Sequence, residues 1–275
     1  MGENLRRLRA AVMCALLAVL ALSAGRVSAQ WYMDFDEDFA AASASRTVAN
    51  WWDGLGLSAA WTLAEGSGTN TLDRIGAVNG NLNGQTWTND VTAGTSLWFP
   101  GGANQRVDMG DKLDAGTNGI VLAAWIWANA IPDTSNPDVL VSKANSSATL
   151  RYTVGLNSTA PSGRLYILLS DGTGTINANA NTRPITPSNW VHVAGFVARS
   201  GYAATFTNGL FEASVSTTAR TNSINITEAL MIGNDPFDIV NRPFNGIIRD
   251  VAIKFNGTTN DITAIYNATK ARYGR

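Results

Sequence analysis

Short runs of apolar residues alternate with polar and turn-forming residues along most of the chain, and a helical period is almost absent. The runs are rich in Val, Ile, Trp, Tyr and Thr, and Gly, Asn, Asp and Pro separate them. This pattern predicts an all-β fold, a sandwich or barrel of short strands. We predict strands over residues 58–63, 96–99, 105–109, 120–128, 139–143, 151–156, 164–170, 190–198, 203–208, 211–215, 229–232 and 246–255.

Two stretches carry local signals of their own. The segment FTNGLFEA (206–213) predicts a hairpin, because an Asn-Gly pair between two apolar runs is typical of a two-residue β-turn. The segment TNDITAIYNATKARYG (259–274) predicts a short C-terminal helix that docks on the sandwich. Its start can be capped by Asn260 or Asp261, and its end is marked by Gly274. Its apolar stripe is Ile262, Ile265, Tyr266 and Tyr273.

The first residues have the composition of an export signal. Three arginines in MGENLRRLR precede the fifteen-residue apolar run AAVMCALLAVLALSA, and the small residues of VSA follow. The run is shorter than the roughly 18–20 residues that a membrane-spanning helix needs. We therefore predict a signal peptide over residues 1–29, a secreted protein, and no membrane association after cleavage between Ala29 and Gln30.

Removal of residues 1–29 changes the charge and the cysteine content. The chain has 20 Lys and Arg against 21 Asp and Glu, and the removed part takes four arginines and one glutamate with it. The remaining 16 basic and 20 acidic residues give a net charge of −4, which argues against a nucleic-acid partner. Cys14 is the only cysteine, so the exported protein has no disulfide and depends on its core.

Residues 30–54 differ in composition from the rest and predict an N-terminal arm before a domain over residues 55–275. The arm contains the acidic run DFDEDF (34–39) and the tryptophans Trp31, Trp51 and Trp52. Apolar side chains of this size need burial, either on the domain or on a second copy of the chain. The arm is therefore a candidate for homo-oligomer contacts.

The ordered motifs of the domain resemble the LamG-like jelly-roll domains of the concanavalin A-like lectin/glucanase superfamily. The matching segments, between about Leu55 and Tyr273, are LSAAWTLAEGSGTNTLDRIGAVNGNLNG, SLWFPGGANQRVDMG, GIVLAAWIWANA, DVLVSKA, GRLYILLSDG, NWVHVAGFV, LMIGND and FNGIIRDVAIKF. The resemblance implies a sandwich of two antiparallel sheets with a short C-terminal helix. It also implies a secreted module that binds a glycan or an extracellular protein surface, often with calcium.

Two other functions stay open, because one fold hosts several functions. Relatives of this fold also serve as structural subunits of surfaces, filaments or virions, and others are polysaccharide hydrolases. The hydrolases carry a Glu-x-Asp-x-x-Glu run on a strand, where paired carboxylates can act on a glycosidic bond. No predicted strand of this chain has that run, and DFDEDF precedes the domain. We therefore expect a protein that is not an enzyme.

The calcium site implied by the resemblance places an Asp of the last strand beside the loop after the first strand. The corresponding run is IIRDVAIKF, in which Arg249 stands at the first acidic position and Asp250 at the second. Strand alternation predicts that Arg249 faces inward with Val251 and Ile253. A guanidinium beside a calcium ion is unfavourable, so we doubt the ion here and keep Asp73 and Asp250 as weak candidate ligands.

The same placement leaves two interpretations of Arg249. Either Arg249 replaces the ion and pairs with Glu65 or Asp73, or it reaches solvent at the rim while Glu65 stays exposed. Both acids lie in the Gly- and Asn-rich stretch 64–84, where turn formation explains most of the composition.

His192 and the tryptophans complete the candidates. His192 is the only histidine, and alternation places it on one face with Trp190 and Ala194, as a packed and hydrogen-bonded residue rather than a catalytic base. Trp61, Trp125 and Trp190 match core positions of the family. Trp127 shares a face with Trp125 at the end of a strand, so it is the candidate platform on which a sugar ring would stack.

Overall fold

Strands arranged in two sheets are the main regular structure of the described residues. The computed structural model describes residues 50–132, 136–158, 163–180 and 183–275, and its compact unit begins at Asn50. The predicted signal peptide and residues 30–49 of the predicted arm, with DFDEDF and Trp31, lie outside the described residues.

The strands are short, as the spacing of the apolar runs predicts. Their bounds are β1 (Ala59–Trp61), β2 (Asn70–Thr71), β3 (Gly80–Asn83), β4 (Thr86–Asp90), β5 (Gly94–Pro100), β6 (Arg106–Asp108), β7 (Ile120–Ala128), β8 (Asp138–Ala144), β9 (Leu150–Asn157), β10 (Arg164–Asp171), β11 (Thr175–Asn179), β12 (Trp190–Ala198), β13 (Tyr202–Thr207), β14 (Leu210–Ser216), β15 (Leu230–Ile232) and β16 (Asn245–Phe255). A helix α1 (Thr259–Thr269) and a 3-10 turn (Lys270–Tyr273) follow.

The strands form two antiparallel sheets, which confirms the predicted sandwich. The first sheet has the order β14-β13-β12-β7-β16-β5-β4, with β1 paired to β16. The second sheet has the order β11-β10-β9-β8-β15-β6-β3-β2. Neighbours such as β7 and β16, or β8 and β15, are distant in sequence, so the chain crosses between the sheets, as in a jelly roll.

The main core lies between the sheets and follows strand alternation. In β7, Ile120, Leu122 and Ile126 join the core cluster, whereas Val121 and Trp125 face the other way. The predicted core residue Trp61 is completely buried in this cluster. Trp125 and Trp190 are also buried, but on the outer face of the first sheet rather than between the sheets.

The C-terminal helix covers the outer face of the first sheet and explains this second buried layer. Ile262 and Ile265 of α1 pack with Val121, Ala194 and other small side chains of the sheet. Tyr273 stacks on Trp125 with ring centroids 3.9 Å apart and planes at 12°. The docking of this helix, predicted from its apolar stripe, is therefore observed.

The described part of the arm also contributes to this layer. Trp51 is buried in the same cluster as Ile262, and Trp52 packs against it edge-on. Residues 50–54, assigned to the predicted arm, thus lie on the sandwich of their own chain. Trp51 is not available for contact with a partner.

The N-cap of the helix lies two positions before the first predicted cap, Asn260. Thr258 is the N-cap and shares a capping box with Asp261, whose carboxylate accepts the Thr258 N–H at 2.6 Å. Asn260, the other predicted cap, is already helical. Gly274 ends the segment with a left-handed φ of 67°, as predicted.

One irregularity in β16 overturns a sequence prediction. The pairing of β16 with β7 slips between Arg249 and Ala252, and Asp250 has a φ of 48°. This bulge inserts an extra residue, so Ile248 and Val251 both face the core. Arg249 lies opposite Trp125 on the outer face, and the prediction that it faces inward with Val251 and Ile253 is wrong.

Candidate functional site

The loop after β1 is held by the two acids that the sequence singled out. Asp73 accepts backbone N–H groups from Ala60 and Ile75 at 3.0 Å with one oxygen. Its second oxygen accepts from Gly76 at 3.1 Å and Val78 at 3.3 Å. Both carboxylate oxygens therefore accept hydrogen bonds that shape this loop.

Glu65 has a different partner from the predicted Arg249. It pairs with Arg74 at 3.1 Å and accepts the Leu72 N–H at the same distance. Arg249 lies on the outer face of the first sheet. It therefore pairs with neither Glu65 nor Asp73, and both predicted ion pairs are wrong. The alternative of an exposed Glu65 is not observed either, because the carboxylate is only 13% exposed.

Asp250 is buried where the C-terminal segment docks. Its carboxylate accepts the Tyr273 hydroxyl at 2.7 Å and Arg272 Nη1 at 3.2 Å. Burial raises the pKa of Asp250, and the positive charge of Arg272 opposes that rise. These contacts fasten the last residues of the chain to the bulge in β16.

No group of three or more His, Cys, Asp or Glu side chains in the described ranges is arranged to hold a metal ion. The residues kept as weak calcium ligands, Asp73 and Asp250, are in separate hydrogen-bond networks. The described helices include none that is long and apolar enough to cross a membrane.

His192 is buried in the aromatic layer under α1. Its ring lies 5.4 Å from that of Trp125 and 5.5 Å from that of Tyr266. Neither ring nitrogen has a hydrogen-bond partner among the described residues, so the predicted hydrogen bonding of this side chain is wrong. Burial lowers the pKa of His192 to about 3, which keeps the imidazole neutral at ordinary pH.

A row of aromatic side chains crosses the outer face of the first sheet beside this layer. Trp98, Ile247, Trp127 and Trp190 stand opposite one another on β5, β16, β7 and β12, and we call them the tryptophan row. Trp190 is covered by Tyr273, with ring centroids 4.9 Å apart. Trp98 and Trp127 stay partly exposed, with centroids 6.4 Å apart and planes at 53°.

Amide groups lie next to the exposed part of the tryptophan row. Asn245 precedes Ile247 on the same face of β16, and its backbone oxygen accepts the Asn129 N–H at 3.0 Å. The side-chain oxygen of Asn245 is buried without a hydrogen-bond partner among the described residues. Aromatic faces with a few fixed polar groups beside them are typical of small-ligand sites.

A cavity of about 330 Å³ opens at the end of the sandwich where β12 begins, and we call it the rim cavity. Val191 of its lining belongs to the core between the sheets, so the cavity opens on the face of β12 opposite to that of Trp190. Its described lining consists of Arg183, Pro184, Ile185, Thr186, Asn189, Val191, Thr207, Asn208 and Arg275. Apolar side chains and hydrogen-bonding groups therefore both face the cavity.

Contacts behind the cavity hold its two arginines. Arg183 pairs with the buried carboxylate of Glu212 at 3.1 Å, and Glu212 also accepts the hydroxyl of Thr207. Arg275 donates to the backbone oxygen of Trp190 at 3.0 Å. Sequence reasoning missed this cavity, because its lining comes from four separate segments with no common motif.

Lys143 forms a second feature that sequence reasoning missed. Its side chain is completely buried at the end of β8, where Nζ meets Asp111 Oδ1 at 2.7 Å and Asp114 Oδ1 at 2.9 Å. Nζ also donates to the backbone oxygen of Lys112 at 2.8 Å. The sequence shows the two acids close together in the segment DKLD (111–114), but only the fold shows that they pair with Lys143.

The fold agrees with known proteins at low sequence identity. Domain 4 of the extracellular arabinanase AbnA from Geobacillus stearothermophilus, solved with arabinotriose, has a TM-score of 0.55 at 15% identity over 76% of this chain and 98% of that domain. The binding domain of Paraclostridial Mosquitocidal Protein 1 has a TM-score of 0.60 at 13% identity over 78% of this chain. A botulinum neurotoxin DC binding domain, solved with SialylT, has a TM-score of 0.54 at 15% identity over 78% of this chain.

The match spans nearly the whole arabinanase domain but only part of the two toxin binding domains. The chain covers 52% of the mosquitocidal protein domain and 51% of the neurotoxin domain, so it spans about half of each. No curated protein sequence matches the chain. A laminin G-type family model, described as the Concanavalin A-like lectin/glucanases superfamily, matches residues 100–259, which is more than half of the chain. The chain belongs to this superfamily.

Proposed function

We propose that the chain is a secreted, non-enzymatic module that binds a carbohydrate on the exposed part of the tryptophan row. The observation that carries the proposal is the pair Trp98 and Trp127, which stand in register on either side of Ile247 and stay partly exposed. Apolar side chains that are exposed next to one another often mark a surface that contacts a ligand or a partner. A sugar ring presents an apolar face to aromatic rings and hydroxyls to neighbouring amides.

Two further facts support this function. The arabinanase domain with the same fold was solved with arabinotriose, and a neurotoxin domain with SialylT. The glycans belong to those proteins, and this chain takes from them only the proposal of a glycan as ligand. The apolar run and small residues of 1–29 support export, and a tethered or secreted module that binds glycans would serve adhesion.

The carboxylate pairs of the described residues support a function without catalysis. Asp111 and Asp114 come together around Lys143, and Asp235 and Asp238 around Arg242. A glycosidase needs one carboxyl group that donates a proton and another that attacks or activates water. Each pair is already engaged with a cation of the fold, which supports a structural rather than a catalytic use of these carboxylates.

The experiment measures binding of the purified protein to a panel of immobilised glycans, followed by titration of the best ligand. Trp127→Ala and Trp98→Ala should each weaken binding at least about tenfold, because a central tryptophan is worth more than about 1.4 kcal/mol in a binding site. Trp52→Ala is the matched control, since it removes a partly exposed tryptophan from a different cluster. Trp127→Phe, which keeps an aromatic face, should retain much of the affinity.

Two results would contradict the proposal in different ways. Binding that survives both Trp98→Ala and Trp127→Ala would move the site away from the tryptophan row. A protein that binds no glycan of the panel would contradict the carbohydrate function itself. Release of reducing ends from any bound polysaccharide would contradict the non-enzymatic character.

A further inference from the structure

We propose that the tryptophan row binds a single, separate glycan chain whose successive rings are inclined to one another, and not the flat face of a crystalline polysaccharide. This inference rests on the proposed function and adds the class of polysaccharide. Three features of the row support it. They are the angle between its two partly exposed rings, the C-terminal segment on one side of it, and a hairpin that bends over the same face of the sheet.

The two partly exposed rings of the row do not lie in one plane. The ring centroids of Trp98 and Trp127 are 6.4 Å apart, and the ring planes meet at 53°. Ile247 lies between the two tryptophans in register and is buried, so it forms the floor. A flat surface can therefore lie against only one of the two indole rings at a time.

The separation of Trp98 and Trp127 shows how a ligand would use them. A sugar ring held between two aromatic faces needs about 7–8 Å between them, which is twice the optimal distance between non-bonded carbon atoms. The centroids are closer than this, so each tryptophan offers its face to a different ring of the ligand. Two rings stacked in this way are inclined to one another, as successive rings of a dissolved or amorphous chain are, whereas a crystal holds its chains flat.

The C-terminal segment rises beside the row on the same face of the sheet. Ile262 and Ile265 of α1 are buried against this face, and Tyr273 covers Trp190, which pairs with Trp127. An α-helix with its side chains is about 10–12 Å across, which is more than the length of a tryptophan side chain. An extended flat surface would therefore meet α1 before it reached the indole rings.

The tip of the β4–β5 hairpin, residues 90–94, forms a second obstacle. Asp90 accepts a hydrogen bond from Trp190 Nε1 at 3.0 Å, although three strands of the sheet lie between β4 and β12. The tip must therefore bend over the outer face, where Ala93 is buried in one cluster with Trp190 and Ile247. Val91 of the tip is fully exposed. The hairpin tip and the C-terminal segment leave the row accessible to one chain and shield it from a surface.

The test compares ordered and separate chains of the same chemistry. The probes are cellulose and chitin, each in crystalline and amorphous form, arabinan, the best ligand of the glycan panel, and oligosaccharides of each with one to six units. Affinity for the oligosaccharides of the best ligand should rise at least about tenfold between one and three units, because each tryptophan takes one ring. The hexasaccharide should release the protein completely from its polymer, and any binding to cellulose or chitin should favour the amorphous form at least about tenfold.

Matched variants connect this result to the two rings. Trp98→Ala and Trp127→Ala should each remove the gain in affinity with length, because only one aromatic face remains. Trp98→Phe and Trp127→Phe keep both faces and should keep the gain, so they distinguish a lost face from a disturbed fold. Trp52→Ala removes a partly exposed tryptophan of a different cluster and should leave the gain unchanged.

The possible failures of this inference and of the proposed function differ. Binding to a crystalline polymer that the hexasaccharide does not displace overturns the inference and leaves the carbohydrate function intact. Affinity that does not increase beyond one unit, or a gain with length that persists in both Trp98→Ala and Trp127→Ala, has the same consequence. Failure to bind any probe or any member of the glycan panel overturns both.

Discussion

Lys143 and His192 are both completely buried polar side chains, and their surroundings are opposite. Lys143, on the second sheet, has two carboxylates and a backbone oxygen within 2.9 Å of Nζ. His192, on the first sheet, has aromatic neighbours and no partner for either ring nitrogen among the described residues. An ammonium group must be paired to be buried, whereas an imidazole can be buried by losing its proton.

The difference shows how each sheet is covered. The second sheet meets the loop 111–114, whose acids turn toward Lys143 and reach water on their other side, with Asp111 51% exposed. The first sheet is sealed by α1 and the 3-10 turn, whose apolar and aromatic side chains offer His192 nothing to bond. Arg249 shares this sealed face, and its Nε and Nη1 are buried without a hydrogen-bond partner among the described residues.

The largest effect should follow from removing the acids around Lys143. Asp111→Asn together with Asp114→Asn leaves a buried ammonium without a counter-charge, which should cost about 3–5 kcal/mol of unfolding free energy. Lys143→Met added to this double variant should recover much of the loss, since an apolar side chain of similar length needs no partner. Urea midpoints measure both steps.

The order of the variants is the critical result of that experiment. A triple variant as unstable as the double variant would show that Lys143 contributes by its shape rather than by its charge. A double variant that loses less than about 1 kcal/mol would mean that the pairing of Lys143 matters no more than a surface ion pair.

The second effect concerns His192 and pH. The pKa is about 3 in the folded protein against 6.5 for an unburied histidine, so between these values only the unfolded chain takes up the proton. Stability is therefore complete above about pH 6.5 and falls as the pH decreases, by up to about 1.4 kcal/mol per pH unit. His192→Phe should remove this slope and be close to neutral at pH 7, where the imidazole makes no hydrogen bond.

Thermal or urea midpoints between pH 4.5 and 8 compare the two proteins. The difference between the curves isolates His192, because it is the only histidine and the carboxylates are common to both. Parallel curves would contradict the burial of a neutral imidazole. A large loss in His192→Phe at pH 7 would mean that the ring nitrogens have partners after all.

The third effect concerns the link between the 3-10 turn and the bulge in β16. Tyr273→Phe removes the hydroxyl that donates to the buried Asp250 carboxylate, and it should cost about 1–3 kcal/mol. Tyr266→Phe is the control, since Tyr266 also stacks on Trp125 but is only partly buried. A loss in Tyr273→Phe no larger than that in Tyr266→Phe would show that the hydroxyl bond to Asp250 does not fasten the C-terminal segment, because both variants keep the aromatic ring.

Alternation and turn chemistry predicted most of the sheet framework. All of the predicted strands occur, with shifted ends, and the bounds of β7 and β12 match. The strands β2, β3, β4 and β11 were not predicted, because segments such as GNLN and TINAN carry few β-branched or aromatic residues. Their strand conformation comes from pairing with neighbours, which local sequence does not show.

The site was less predictable for a physical reason. Trp127 was found from its place at a strand end, but its neighbour Trp98 became visible only when β5, β16 and β7 were in register. The face of Arg249 was predicted wrongly because a single extra residue at Asp250 reverses the alternation. A bulge leaves no mark on the hydrophobic pattern when apolar residues lie on both sides of the strand.

The smallest effect is expected for Arg249, and it tests whether the sealed face tolerates guanidinium N–H groups that have no hydrogen-bond partner among the described residues. Arg249→Met keeps the aliphatic stem beside Trp125 and removes two buried donor groups that have no partner among the described residues. The unfolding free energy should change by less than about 1 kcal/mol and can rise, because no hydrogen bond of Nε or Nη1 is lost. A loss of about 3–5 kcal/mol in Arg249→Met would instead show that Arg249, like Lys143, is a buried cation with a charged partner.

The same urea titrations with calcium and with a chelator should give the same midpoint for the unmodified protein, since the oxygens of Asp73 and Asp250 already accept hydrogen bonds from protein groups. A midpoint that drops with chelator in the unmodified protein but not in Asp250→Asn would assign calcium to this edge of the first sheet.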